Sequence, residues 1–284
     1  MPSFVLLFFR HYLLSLQFFT RIPVTGRLAA WVGYSPAMLR ASAGHFPGVG
    51  VLVGALVATF TALLLMLLPA TGSAPLVAAA LGTALGVLIT GAFHEDGLAD
   101  VADGLGGSHD RQRALEIMKD SRVGAFGAIA VVLMLLCKVS LLGLLGDVSA
   151  PLMVVALFVA HVVSRTLPLL TIRLLAHVGD VAGSKSKPLA DQISLGALAT
   201  GFSWLFLTIA LVIYGQIATD FIAVDVDTQS LLMAFANAVL ASLLAWAVMT
   251  RWFWRRLHGF TGDCLGATQQ VCELAFYFGL AVSV

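Results

Sequence analysis

The sequence predicts an all-α, polytopic integral-membrane helical bundle of about seven transmembrane helices plus an N-terminal interfacial or re-entrant helix, with residues 1–284 forming one membrane-embedded domain. Three observations carry that expectation. Of the 284 residues, 60% are hydrophobic and 11% charged, whereas a soluble domain is about 45–50% apolar and about a quarter charged. Seven apolar stretches approach the roughly 20 residues that a helix needs to cross a bilayer. Finally, the basic residues sort to one side of those stretches, as they do in the cytoplasmic loops of membrane proteins.

The first apolar stretch, Phe4 to Phe19, is interrupted by Arg10 and His11 and has neither a basic start nor a small-residue cleavage site. It therefore reads as an interfacial or re-entrant helix rather than a signal peptide. The expected spans follow at 46–69, 75–93, 123–146, 151–175, 193–218, 229–250 and 265–284. Within the first two, Gly50/Gly54 and Gly82/Gly86 recur at four-residue spacing, a pattern that lets membrane helices approach closely and points to packing rather than chemistry.

Of the 16 basic residues, fourteen lie on one side of these spans: Arg10, Arg21, Arg27 and Arg40; Arg111, Arg113, Lys119 and Arg122; Arg173, Lys185 and Lys187; Arg251, Arg255 and Arg256. Lys138 and Arg165 fall deep inside spans, whereas Arg173 sits at the very end of the span 151–175. The opposite loops, near 70–74, 147–150 and 219–228, contain no Lys or Arg. The N-terminus and the long loops are accordingly expected in the cytoplasm, with the chain in the cell (inner) membrane.

Composition also excludes classes of function. A net charge of +1 supplies no basic face for nucleic acid, so no nucleic-acid partner is expected. The three cysteines, Cys137, Cys264 and Cys272, form no CxxC and no zinc-ligand spacing, so neither a disulfide framework nor a structural metal site is indicated.

The densest chemistry lies in 94–107, HEDGLADVADGLGG, where Glu95, Asp96, Asp100 and Asp103 stand directly after an apolar span. Asp96, Asp100 and Asp103 are spaced i, i+4 and i+7, which on a helix places them on one face. Carboxylates this close repel unless something positive joins them, and an oxygen-only set suits Mg²⁺. One such aspartate could merely keep a loop out of the membrane; a one-faced group at a membrane border indicates function. A zinc site through His94 and His109 matches no usual ligand spacing.

Downstream, Gly104, Gly106 and Gly107 would let a backbone approach a ligand, and MKDSRVGAFG adds Lys119, Asp120, Arg122, Gly124 and Gly127. Together these suit a phosphate-bearing substrate. The carboxylates would hold Mg²⁺ on a diphosphate while Lys119 and Arg122 neutralise the leaving phosphate. Inside the fourth span His161 and Arg165 are four residues apart. An arginine that deep should face a polar cavity, either as a structural partner of a loop carboxylate or as a phosphate ligand. Two further loops stand out: GSKSKPLADQ at 183–192, whose Lys185 and Lys187 suit an anionic group or simply set topology, and GFTGDCLGATQQ at 259–270, which places Asp263 and Cys264 between Gly262 and Gly266 at the mouth of the last span, where a plain connector needs no polar side chain. Cys264 has no orienting His–carboxylate pair that would suit a nucleophile.

Together these strings resemble the cobalamin synthase (adenosylcobinamide-GDP ribazoletransferase) family across nearly the whole chain. The resemblance rests on LQFFTRIPV at 16–24, HEDGLADVADGLGG at 94–107, MKDSRVGAFG at 118–127, the Ser164–Arg165 pair, and GFTGDCLGA at 259–267, in that order. It implies Mg²⁺-dependent transfer of the adenosylcobinamide-phosphate moiety of adenosylcobinamide-GDP to the ribose hydroxyl of α-ribazole or its 5′-phosphate, with release of GMP. The candidate metal ligands are Glu95, Asp96, Asp100 and Asp103, and the candidate catalytic carboxylates Asp96, Asp100, Asp103 and Asp120. Lys119, Arg122, Arg165, Lys185, Lys187, Asp263, Gly104 and Gly106 are the candidate substrate-binding set. The lipid bilayer is an expected partner, and a homo-oligomer is left open.

Other readings fit less well. A CDP-alcohol phosphotransferase would want Ala-Arg shortly after its Asp-Gly, where this chain has Leu-Gly-Gly after Asp103-Gly104. An intramembrane prenyltransferase would need a second Asp-rich loop. A transporter would be expected to show related halves, and the polar residues here gather in the loops instead.

Overall fold

A computed structural model describes residues 4–179, 192–220, 222 and 227–284. The chain opens with α1 (Phe4–Phe19), α2 (Gly26–Val32) and α3 (Pro36–Ser42), and a short 3₁₀ turn (Ala43–His45) leads into α4 (Phe46–Leu67). There follow α5 (Ala74–Thr90), α6 (Phe93–Gly107), α7 (Arg111–Lys119), α8 (Ala125–Val148) and α9 (Ala150–Leu174). The remaining described helices are α10 (Leu195–Thr219), α11 (Thr228–Leu257) and α12 (Gly262–Ala281). No strand occurs among the described residues; a single bridge, His177 to Phe260, ties the end of α9 to the entry of α12.

Local chemistry sets the helix starts. The Ser35, Asp110, Ser149, Ser194, Asp227 and Thr261 side chains each accept a bond from a backbone N–H of the helix that follows, satisfying donors that the first turn leaves unpaired. Proline occupies the first turn of α3, α4, α5 and α9, where its missing N–H has no consequence.

Among the described residues, five helical stretches are long and apolar enough to cross a membrane: Pro36–Leu67, Ala125–Val148, Ala150–Leu174, Leu195–Thr219 and Thr228–Leu257; the pair α5 and α6, bent by 89°, makes a sixth if counted as one span. The expectation was about seven. The last expected span, 265–284, does form a helix, α12, but Thr268, Gln269, Gln270 and Glu273 make it less apolar than a lipid-facing helix, and all four are buried. It packs against α6, α8, α9 and α11, so protein rather than lipid surrounds its polar face. The most enclosed of the five spans is α9, whereas α8 and α10 turn Ile129, Leu133 and Leu136, and Phe206, Leu207 and Leu211, outward. Such a distribution costs nothing in lipid, which is as apolar as leucine.

The small-residue spacing works as expected for close packing. Gly50 and Gly54 lie against the His161 and Phe158 backbone of α9, and Gly82 and Gly86 against Thr61 and Val57 of α4. At the end of α5, Gly91 (φ 67) and Ala92 (φ 57) both adopt the left-handed conformation, which ends the helix and turns the chain through 89° into α6.

Candidate active site

The acidic segment 94–107 is helical within α6, so Asp96, Asp100 and Asp103 do share one helix face. A second helix joins them. The backbones of α6 and α12 touch where Gly97 meets Gly266: a Cβ on Gly97 would lie 2.8 Å from the Asp263 carbonyl oxygen, and one on Gly266 would lie 3.3 Å from His94. This contact brings Asp263, in the first turn of α12, against the acidic face.

The electrostatics report the convergence. Asp96 is exposed, and Asp100 and Asp263 are partly buried. The Asp100 carboxyl is pushed up to about 7, first by burial and then by the carboxylates of Asp263, Asp96 and Asp103. Asp263 is also raised, mainly by burial, against an opposing hydrogen bond of 3.2 Å from the Thr261 hydroxyl. These are negative groups held together in a partly desolvated place. Among the described residues no three such side chains stand close enough to hold a metal by themselves.

The other expected site residues take different positions. Asp103 turns away from Asp100: its two carboxylate oxygens accept from the backbone N–H groups of Gly124 (2.7 Å) and Gly127 (2.8 Å). It thus clasps the N-terminus of α8, where the helix dipole favours a negative charge. Gly104 makes room for the Ala114 carbonyl, 2.9 Å from its would-be Cβ, and Gly106 lies under the Phe126 ring at 3.2 Å. In this structure both glycines therefore serve contacts between protein segments. Glu95 points into the bundle, 8% exposed, and accepts from Gln270 Nε2 at 3.0 Å.

Asp120 and Arg122 pair with each other on the surface, with Nη2 to Oδ2 at 2.5 Å. The Arg122 guanidinium holds the Asp120 carboxyl down at about 2. Lys119 ends α7 and is exposed. Arg165 is 2% exposed; it donates to His161 Nδ1 at 2.8 Å and to the His161 carbonyl at 3.0 Å, and lies over the Phe46 ring. Lys185 and Lys187 lie outside the described residues.

Sequence reasoning missed an interior polar network. Lys138, which the sequence places inside a span without a partner, pairs with Glu273 at 2.7 Å, the two side chains 7% and 1% exposed. Glu273 also accepts from Gln269 Nε2 (2.7 Å) and the Tyr277 hydroxyl (2.9 Å), and Gln269 Nε2 further reaches Ser164 Oγ (3.0 Å). Gln270 Nε2 bridges Gln269 Oε1 (2.9 Å) to Glu95. A chain of hydrogen bonds thus runs from the acidic helix to the ion pair. The available signal was Gln269, Gln270, Glu273 and Tyr277 recurring at helical spacing in an expected span, since polar groups inside a membrane must find partners.

Residues 11–281 match the family described as cobalamin-5-phosphate synthase (CobS). An adenosylcobinamide-GDP ribazoletransferase of Albidiferax ferrireducens is 79% identical over 98% of this chain and 99% of its own length. The proteins of that name from Polaromonas naphthalenivorans and Leptothrix cholodnii are 61% and 43% identical, over 99% and 97% of this chain and 100% and 96% of theirs. No solved structure matches the chain.

Proposed function

Because the chain belongs to the cobalamin-5-phosphate synthase family, we propose that it transfers the adenosylcobinamide-phosphate moiety of adenosylcobinamide-GDP to the ribose hydroxyl of α-ribazole or its 5′-phosphate. The ribose oxygen forms a bond to the phosphorus that carries cobinamide. The bond from that phosphorus to the bridging oxygen breaks, and GMP leaves with the bridging oxygen. The observation that carries the site assignment is the convergence of Asp96, Asp100 and Asp263 where α6 crosses the start of α12.

These residues fit Mg²⁺. They offer only oxygen donors, and their mutual repulsion favours a cation. Mg²⁺ usually takes one or two carboxylates and completes its shell with water and substrate phosphates. When bound, the ion would neutralise charge on the diphosphate. Asp100, the half-buried carboxylate between Asp96 and Asp263, is our candidate to take the ribose proton. Arg122, which lines the cleft beside Asp103, would give the leaving phosphate positive charge by exchanging Asp120 for it, with Lys119 at the end of α7 as the second candidate cation. By the positive-inside rule this end of the bundle would face the cytoplasm.

The test is GMP release by protein purified in detergent and supplied with Mg²⁺, adenosylcobinamide-GDP and α-ribazole or its phosphate. Turnover should require both substrates, and Asp96→Asn should abolish it while the protein still inserts and folds. Well-folded protein that releases no GMP with both substrates present would overturn the proposal.

A further inference from the structure

Beyond the acidic cluster, the same face of α6 continues into an open cleft between α7 and the start of α8. Asp96, Asp100, Asp103 and Gly107 follow one another at i, i+4, i+7 and i+11, and Asp103 and Gly107 line the cleft together with Arg113, Glu116, Arg122 and Phe126. From Asp100 to Gly107 the helix rises roughly 10 Å at 1.5 Å per residue, within the reach of a nucleoside diphosphate. The Asp103 clasp on Gly124 and Gly127 fixes the far wall of this cleft to the acidic helix.

We infer that this cleft holds the guanosine monophosphate half of the diphosphate substrate, with Glu116, Arg113 and Phe126 reading the guanine and Arg122 the phosphate. The inference rests on the transfer proposed above. Its walls carry both signs of charge: Arg113 pairs with Glu116 at 3.1 Å, and Arg122 pairs with Asp120. A site for phosphate alone would have no use for Glu116, whose charge repels it. Guanine, however, presents N–H donors on its N1 and 2-amino edge and acceptors at O6 and N7. A carboxylate suits the first edge and a guanidinium the second. Adenine has an acceptor at N1, which a carboxylate rejects.

Exposed pairs of this kind contribute little to stability, so a ligand can replace either partner at small cost. The Phe126 ring adds the third element. It is 56% exposed, rests over Gly106 and lines the cleft, offering a face on which a base can stack.

The experiment is equilibrium dialysis of detergent-purified full-length protein with labelled GMP in the presence of MgCl₂, using AMP and inorganic phosphate as competitors. It is paired with steady-state kinetics of wild type, Glu116→Gln and Phe126→Ala. Both side chains are on the surface, and thermal unfolding confirms that the variants fold. GMP should bind at least tenfold more tightly than AMP or phosphate. Glu116→Gln should weaken GMP about tenfold and bring the GMP-to-AMP ratio towards one. Both variants should raise KM for adenosylcobinamide-GDP without raising KM for the ribazole substrate. If wild type turns over but the GMP preference and KM are unchanged in both variants, or AMP and phosphate compete as well as GMP, the cleft assignment is overturned and the transfer reading stands. Glu116-dependent GMP binding without transfer would support the cleft and overturn the transfer.

Discussion

Asp100→Asn should stabilise the metal-free protein while destroying its activity. In the folded chain the Asp100 carboxyl rises from its ordinary value of 3.8 to about 7 because burial and the carboxylates of Asp263, Asp96 and Asp103 oppose its ionisation. Between about pH 4 and pH 7 the folded state retains a proton that the unfolded chain has released. Stability must therefore fall as pH rises through that window, and the loss is complete above about 7. At about 1.36 kcal/mol per tenfold change in proton affinity, the upper bound is roughly 4 kcal/mol. Asp100 is only half-buried, and solvent screening of such repulsion reduces the expected effect to about 1–2 kcal/mol. For a chain of this length that is a rise in Tm of a few degrees, on the order of 2–4 °C per kcal/mol. The assay is thermal unfolding in detergent followed by tryptophan fluorescence, with EDTA, at pH 5 and pH 8. The asparagine variant should exceed wild type at pH 8 and approach it at pH 5. Magnesium should raise the wild-type Tm at pH 8 far more than that of the variant. A variant less stable than wild type at pH 8 in EDTA, or one with near-normal GMP release, would refute the reasoning.

Two further predictions concern the bundle itself. Lys138→Met alone would leave Glu273 charged and unpaired in the interior, at a cost of about 3–5 kcal/mol; the double variant Lys138→Met/Glu273→Gln should recover most of it, as read from thermal unfolding, and a neutral single variant would contradict the buried ion pair. For orientation, a cysteine placed at the exposed loop position Gly72 should react with an impermeant maleimide on intact cells, whereas one at Arg113 should react only after lysis. Labelling of both from outside would reverse or redraw the topology.

The apolar runs made the spans legible, and the i, i+4, i+7 spacing made the one-faced acidic helix legible, because both signals are local in sequence. The bend at Gly91 and Ala92 was not. Glycine is at home in the left-handed conformation, but alanine adopts it only when surrounding structure demands it, so Ala92 carries no mark of its φ. The partition of the carboxylates was equally hidden. Asp96, Asp100 and Asp103 have the same local pattern, yet Asp103 meets the N–H groups of Gly124 and Gly127 while Asp100 faces Asp263. Which partner each aspartate finds depends on how α8 and α12 cross α6, and the second crossing depends on two glycines, Gly97 and Gly266, far apart in sequence.

The same logic explains why Arg165 and Glu95 were legible as unusual but not as partners of other groups. A charge inside a membrane span announces that a polar neighbour exists without naming it. For Glu95 the neighbour is Gln270 of α12, for Arg165 it is His161 one turn earlier on α9, and Gln269, Gln270 and Glu273 make α12 less apolar than the spans around it. A helix can carry that much polarity in a bilayer only if others enclose it, and the enclosure puts its hydrogen-bonding face against α6. The low hydropathy of the last span and the position of Asp263 at its first turn are thus two consequences of one placement. An interior polar helix begins at the membrane border, and its first carboxylate is delivered to the acidic cluster.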